Sequence, residues 1–166
     1  GHPFDLAWAL CFGAGVFGYR CESDAFRERA EAAERLGREN NIPFIWACVA
    51  PMQYGIALIQ ENKFAEGAAV LKTAFLIWEG GGGRVSSPYY KCLLAEAAAG
   101  LGNLDGAIDL IDASIAQVEL PGWEERVHYA EILRLKGWML SLKGDLEGAE
   151  QNYLASLDWA RQQQAK

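Results

Sequence analysis

A chain of 166 residues with 51% hydrophobic and 22% charged residues has the composition of a globular domain, able to bury roughly 70% of its unfolded surface. Its formal net charge of −7 argues against phosphate-backbone binding, which needs clustered Lys and Arg, and no basic run offsets that charge. Four cysteines (Cys11, Cys21, Cys48, Cys92) lie far apart without CxxC spacing, which points to reduced thiols in a cytoplasmic protein rather than a disulfide framework or a zinc site.

The opening GHPFD carries no basic n-region and does not read as a secretory signal. Residues 4–20 are expected as a first helix, uncharged between Asp5 and Arg20 and apolar all round, which predicts burial on more than one side. Gly13, Gly15 and Gly18 spell a formal GxGxxG inside it. A dinucleotide loop needs a strand before those glycines, so close helix packing is the better account. A second helix is expected over 24–39, capped by Ser23 or Asp24, with Phe26, Ala30, Ala33 and Leu36 as its inner stripe. Glu31–Arg35 and Glu34–Arg38 are spaced as i,i+4 pairs on its solvent side.

Asn40-Asn41-Ile42-Pro43 breaks that helix, because the residue before proline is pushed out of the helical region. The uncharged run FIWACVAPMQYGIALIQ follows. Its prolines and Gln residues argue against a membrane span, and Pro51 is expected to kink it. Helix 64–79 places Phe64, Ala68, Leu71, Phe75 and Trp78 inward. Gly80–Gly83 and the RVSS after them read as a flexible linker, since no GK[ST] follows to make a phosphate loop. Helices 88–101 and 104–119 come next; Asp105, Asp109 and Asp112 share a face of the latter, read as solvated rather than cation-binding. Leu120-Pro121-Gly122 ends that pair, and helices 124–142 and 146–162 complete the chain.

A spacing recurs along these helices. From Gly137, the offsets +3, +7, +12, +16 and +19 give Leu140, Gly144, Ala149, Tyr153 and Ser156. From Ala95 they give Ala98, Gly102, Ala107, Ile111 and Ser114; from Gly55, Leu58, Asn62, Gly67, Leu71 and Ala74. Small residues at the origin and at +12 let two helices approach closely, the Gly or Asn at +7 ends a helix, and the large residue at +16 fills the space between. Gly13 is placed as a first origin, although Arg20 and Arg29 fit its +7 and +16 poorly. The expectation is an all-α, right-handed, tetratricopeptide-like solenoid of about four antiparallel helix pairs with a period of 40–42 residues. It forms one domain over 1–166, with repeats near 3–40, 43–80, 88–119 and 124–162. No polar capping helix follows Leu154, Leu157 and Trp159, so the domain is expected to continue in a parent protein or to form a homodimer through an end helix.

The segments HPFDLAWAL, PYYKCLLAEAAAGLGNLDGAIDLIDASIAQVE and YAEILRLKGWMLSLKGDLEGAEQNYLASLDWA resemble the C-terminal helical-repeat region of bacterial signalling proteins. In those proteins a class III adenylate/guanylate cyclase domain and a STAND-type ATPase domain precede the repeats. The resemblance covers nearly the whole chain, and AEILRLKG is its most specific part. It implies a regulatory, partner-binding module that engages a protein, a peptide or the parent's own catalytic domains.

In stacked helix pairs, positions −6, −3 and +1 from each origin should line a concave face. These are Val49, Met52 and Ile56; Tyr89, Cys92 and Glu96; Glu131, Arg134 and Trp138. Met52, Tyr89, Glu96, Arg134 and Trp138 are the expected groove anchors, since aromatic and Arg side chains dominate interface energetics. Catalytic, cofactor and metal residues are expected to be absent. Neither His2 nor His128 stands at ligand or nucleophile spacing with a cysteine, and Glu124–Glu125 reads as a helix start. A small-molecule sensor of the STAND-regulator type is the rival reading.

Overall fold

A computed structural model describes residues 1–164, and within them the chain is all-helical, with no strand. The elements are α1 (Pro3–Tyr19), α2 (Ser23–Glu39), a π-helical segment (Phe44–Val49) running directly into α3 (Ala50–Gln60), α4 (Phe64–Gly80), α5 (Ser87–Gly100), α6 (Leu104–Glu119), α7 (Tyr129–Lys143) and α8 (Leu146–Gln162). They gather into two compact units, Gly1–Arg84 and Val85–Lys166, divided at the glycine-rich linker. In the first unit α1 packs on α2 and α3 on α4, while α3 also lies against α2 and α1. The second unit repeats the arrangement with α5 on α6, α7 on α8, and α7 against α6 and α5.

The recurrent small residues sit where paired helices cross. A Cβ placed on Gly55 would lie 2.8 Å from the Leu71 backbone nitrogen and 3.0 Å from the Gly67 carbonyl oxygen. At Gly137 it would meet the Tyr153 ring at 2.9 Å and the Ala149 carbonyl at 3.1 Å. Ala95 and Ala107 are both fully buried. Origin and +12 positions are thus facing partners across a helix pair, and their size sets how closely the pair can nest.

The first pair corrects the expected register. Gly13 is outside the crossing, and the nearest atom to a Cβ there is an Arg29 guanidinium nitrogen at 3.8 Å. Ala14 is the true origin: it is buried, with Phe26, Ala30 and Ala33 buried at +12, +16 and +19. The left-handed residue ending α1 is Cys21, with φ +56°, at +7 from Ala14. Sequence spacing missed this because large and small exchange places. In the second pair Ile59 at +4 packs on Gly67 at +12; in the first, Gly18 at +4 receives the Phe26 ring, which stands 2.7 Å from where its Cβ would be. Total volume across the crossing is kept while its owner changes helix.

Every helix is followed by a left-handed residue: Cys21, Asn41, Asn62, Gly82, Gly102, Gly122, Gly144 and Gln164, spaced 20 to 22 residues apart. The amides of Glu22, Lys63, Asn103 and Asp145 donate to Phe17, Leu58, Ala98 and Leu140, closing the terminal turns and satisfying otherwise orphaned carbonyls. Gly144, at φ +88°, adopts this conformation without the steric cost a Cβ would bring. Gly144→Ala is therefore expected to lower stability by about 1 kcal/mol, read as a lower denaturant midpoint; an unchanged midpoint would show that the turn does not form.

Other local expectations change in detail. Pro51 is absorbed by the π-helical segment before it: the wider turn accommodates a residue with no N–H to donate and a ring that crowds the preceding turn. Ser23 is the first residue of α2, and Glu22 precedes it with no side-chain capping bond. Gly37 takes the inner position foreseen for Leu36, because Ile45 comes within 3.0 Å of its Cβ direction. Arg38 pairs with Glu34 as expected, but Glu31 is taken by Arg27, which also reaches Glu61 at 3.1 Å and so ties α2 to the end of α3. The glycine linker makes defined contacts, with Gly83 against the Trp78 indole and its amide donating to the Trp78 carbonyl at 2.9 Å.

Helix α7 begins at Tyr129, five residues later than expected. Residues 123–128 are a loop held by other bonds: the Trp123 indole N–H donates to the Glu125 carbonyl at 3.1 Å, and Arg126 donates to the Val118 carbonyl at 2.8 Å. Glu125 does stabilise a helix start, but that of α5. Its carboxylate accepts from the Ser86 amide at 2.8 Å and from the Ser86 hydroxyl at 3.0 Å. Helix α1 is buried on one side only, through Ala7, Cys11, Ala14 and Gly18, while Leu6, Phe12, Val16 and Tyr19 face solvent.

Candidate partner-binding strip

Of the expected groove anchors, Met52 is removed by the structure: it is 1% exposed in the core of the first unit, and its neighbours in the pattern, Val49 and Ile56, are buried as well. Helix α3 is covered by α1, α2 and α4, so its inward positions serve packing. Tyr89, Glu96, Arg134 and Trp138 all belong to the second unit, on α5 and α7, which lie side by side.

Tyr89 stacks on His128 with ring centroids 4.0 Å apart and an interplanar angle of 14°. His128 was not among the anchors, because its place just before α7 shows only when that helix's start is known. Burial lowers its pKa, with Glu125 and Glu131 opposing the shift. One and two turns along α5 come Cys92 and Glu96. Cys92 is fully enclosed, and burial first, then the Glu131 and Glu96 carboxylates, hold its thiol well above the ordinary value. It is a core residue rather than a nucleophile.

Glu96 is the electrostatic centre of the strip. Burial raises its pKa to about 7, the nearby Glu131 adding to the shift and Arg134 opposing it. Arg134 is committed elsewhere: Nε and Nη2 each donate to a Glu131 carboxylate oxygen at 2.7 Å, a bidentate fork. That bond leads the forces holding the guanidinium charged. Among the described residues the half-buried Glu96 makes no hydrogen bond or ion pair with the protein, and its carboxylate oxygens remain open to solvent. Trp138, half-buried against the α5–α8 core, stands one turn beyond Arg134. The strip thus combines a stacked Tyr–His pair, a tryptophan, a self-contained Glu–Arg fork and a half-buried carboxyl. Beside Tyr89 and His128 a cavity of about 10 Å³ is lined by Ser86, Pro88, Val118 and Glu125, room for about one water.

The first unit carries an aromatic row that the sequence reading did not identify. Trp8 stacks on Phe4 at 6.0 Å and on Phe44 at 5.5 Å, and Phe44 continues to Trp78 at 5.9 Å. The Phe4, Trp8 and Phe12 spacing of four was a legible signal for its α1 part; the joining of Phe44 and Trp78 depends on tertiary packing. Elsewhere, Asp105 and Asp112 pair with Lys143 and Lys136 of α7 at 2.7 Å each, so two of the three α6 carboxylates serve helix docking. Among the described residues no three His, Cys, Asp or Glu side chains converge as a metal site, and no helix is long and apolar enough to cross a membrane. Comparison of the chain with protein-family models, with curated proteins and with solved structures finds no match in any of the three.

Proposed function

We propose that the chain is a non-catalytic interaction module whose α5–α7 strip takes a segment of another protein, with a basic side chain of that segment directed at Glu96. The observation that carries this reading is the half-buried, solvent-facing Glu96 carboxyl, set in a strip whose one guanidinium is already forked onto Glu131. An incoming ammonium or guanidinium would pair with that carboxylate, while Tyr89 and Trp138 supply apolar contact area. The cavity beside Tyr89 is too small for a metabolite, so the sensor reading would have to use another recess, such as the open one of about 430 Å³ lined by Phe17, Arg29 and Arg35.

The wider setting follows the same reading. Helix pairs that cross at one recurring offset support a tetratricopeptide-like solenoid, and the resemblance in HPFDLAWAL and AEILRLKG supports a regulatory region of a cytoplasmic bacterial signalling protein. Cyclase and ATPase domains are then natural partners. The test is an array of twelve-residue peptides with Lys, Arg, Ala or Glu at a fixed central position. Lys and Arg peptides should bind best. Trp138→Ala should weaken all binders about tenfold, a hot-spot loss, while Glu96→Gln removes only the preference for a basic centre. Arg134→Ala frees the Glu131 carboxylate beside Glu96 and should sharpen the preference for a basic centre, with helical content unchanged. Equal binding of all four peptide classes, or none that Trp138→Ala weakens, would sink the proposal.

A further inference from the structure

Within each unit, successive helix pairs meet through the same ridge. On α2 the ridge is Arg27, Glu31, Glu34 and Arg38: Arg27 pairs with Glu61 at the end of α3, and the Arg38 guanidinium lies 4.6 Å over the Trp46 ring. The equivalent α6 ridge is Ile108, Asp112, Ile115 and Glu119. There Asp112 pairs with Lys136, the Tyr129 hydroxyl donates to Glu119, and both isoleucines pack on the shared core. The ridge position is therefore an interface in both units.

Helix α8 carries the same ridge as Glu150, Leu154, Leu157 and Arg161, with the two leucines 55% and 52% exposed. Helix α1 in turn carries the face that α3 turns toward α2 and α1. The α3 positions Ala50 and Ala57 are 1% and 0% exposed, and Gln60 donates to the Gly18 carbonyl at 3.0 Å. Their counterparts 41 residues earlier, Ala9, Val16 and Tyr19, all face solvent. The charges on these two faces are complementary. Where Arg27 meets Glu61, the equivalent pair is Glu150 with Arg20; where Arg38 meets Trp46, it is Arg161 with Asp5. Arg20 is 67% exposed and holds only its near neighbour Glu22, and Glu150 has no ion pair among the described residues.

We infer that the α8 ridge of one copy of this chain docks on the exposed α1 face of another, joining copies head to tail. Leu154 and Leu157 would lie against Ala9 and Val16, flanked by the Glu150–Arg20 and Arg161–Asp5 pairs. Such a contact uses two different surfaces, so a pair of copies joined by it once leaves one surface of each kind open. It does not involve the α5–α7 strip and stands or falls independently of the partner reading.

Sedimentation velocity over a concentration series tests it. The wild-type chain should associate as concentration rises. Val16→Glu spoils the α1 face and Leu157→Glu the α8 ridge; both sites are exposed, so both variants should keep the wild-type melting temperature. Each alone should be monomeric, and an equal mixture should form a heterodimer and nothing larger, because one good α1 face meets one good α8 ridge. Arg20→Glu and Glu150→Arg should each weaken association about two- to fivefold, as an exposed ion pair would, and together restore it. A monomeric wild type at millimolar concentration overturns the inference. So does self-association of either Glu variant alone, or a mixture that stays monomeric.

Discussion

Replacing Gly67 by alanine is expected to destabilise the chain by about 3 kcal/mol, the upper end for overpacking a well-filled crossing. The new methyl would stand 2.8 Å from the Gly55 carbonyl oxygen, 2.8 Å from the Ile59 side chain and 2.9 Å from the Ile59 backbone nitrogen. Two of those three atoms are backbone and cannot rotate aside, so α3 and α4 must separate and lose contact along their length. Gly15 provides the contrast: it lies in α1 with nothing within 4 Å of its Cβ direction. There alanine should stabilise by about 0.5–1 kcal/mol, through the lower chain entropy of a helical alanine. The same chemical change at two helical glycines should therefore move the thermal midpoint in opposite directions, with a drop of about 10 °C at Gly67. Equal effects at the two sites would show that α3 and α4 do not nest at this position.

Stability should also depend on Glu96 in a defined pH window. Its folded value of about 7 lies above the ordinary 4.5, with burial the chief cause. Between those values the folded chain holds a proton that the unfolded chain has released. The contribution of Glu96 is thus complete below pH 4.5 and is lost as pH rises to 7, a fall of about 2–3 kcal/mol. His128 acts oppositely: its lowered pKa makes stability rise with pH up to its ordinary value of 6.5. The clean measurement is therefore the difference between wild type and Glu96→Gln, taken by denaturant unfolding from pH 4 to pH 8. Glutamine cannot ionise, so the variant should gain on the wild type through this window and level off above it. Parallel curves would mean that the carboxyl is as well solvated as any surface glutamate. A peptide bringing a cation to Glu96 should in turn bind more tightly as pH rises through 7.

Much of the helical framework was legible beforehand because its signals are local. Gly102 and Gly144 end α5 and α7 as their spacing required, and Asn62 does the same for α3. The helix over 64–79 and those at 104–119 and 146–162 fall within a residue of their expected bounds. The misses share one cause. Gly13 fits the period, standing 42 residues before Gly55, but nesting depends on the sum of two facing side chains, and Phe26 supplies from α2 what Gly18 lacks on α1. The start of α7 was misplaced because Glu124 and Glu125 suit any helix N-terminus, and only the fold directs Glu125 to Ser86.

The candidate site divides in the same way. Tyr89, Glu96, Arg134 and Trp138 could be named from their offsets, but the same rule also named Met52, whose surroundings are closed by three other helices. The chain's own order of residues determined that it is helical, where its helices turn, and which small side chains recur, since those properties depend on neighbours within a few positions. Tertiary structure decided which of two faces each helix buries, that Arg134 is spent on Glu131, and that Glu96 is half-buried beside that pair. Burial and pairing are set by groups brought from distant parts of the chain, and no spacing along a single helix contains that information.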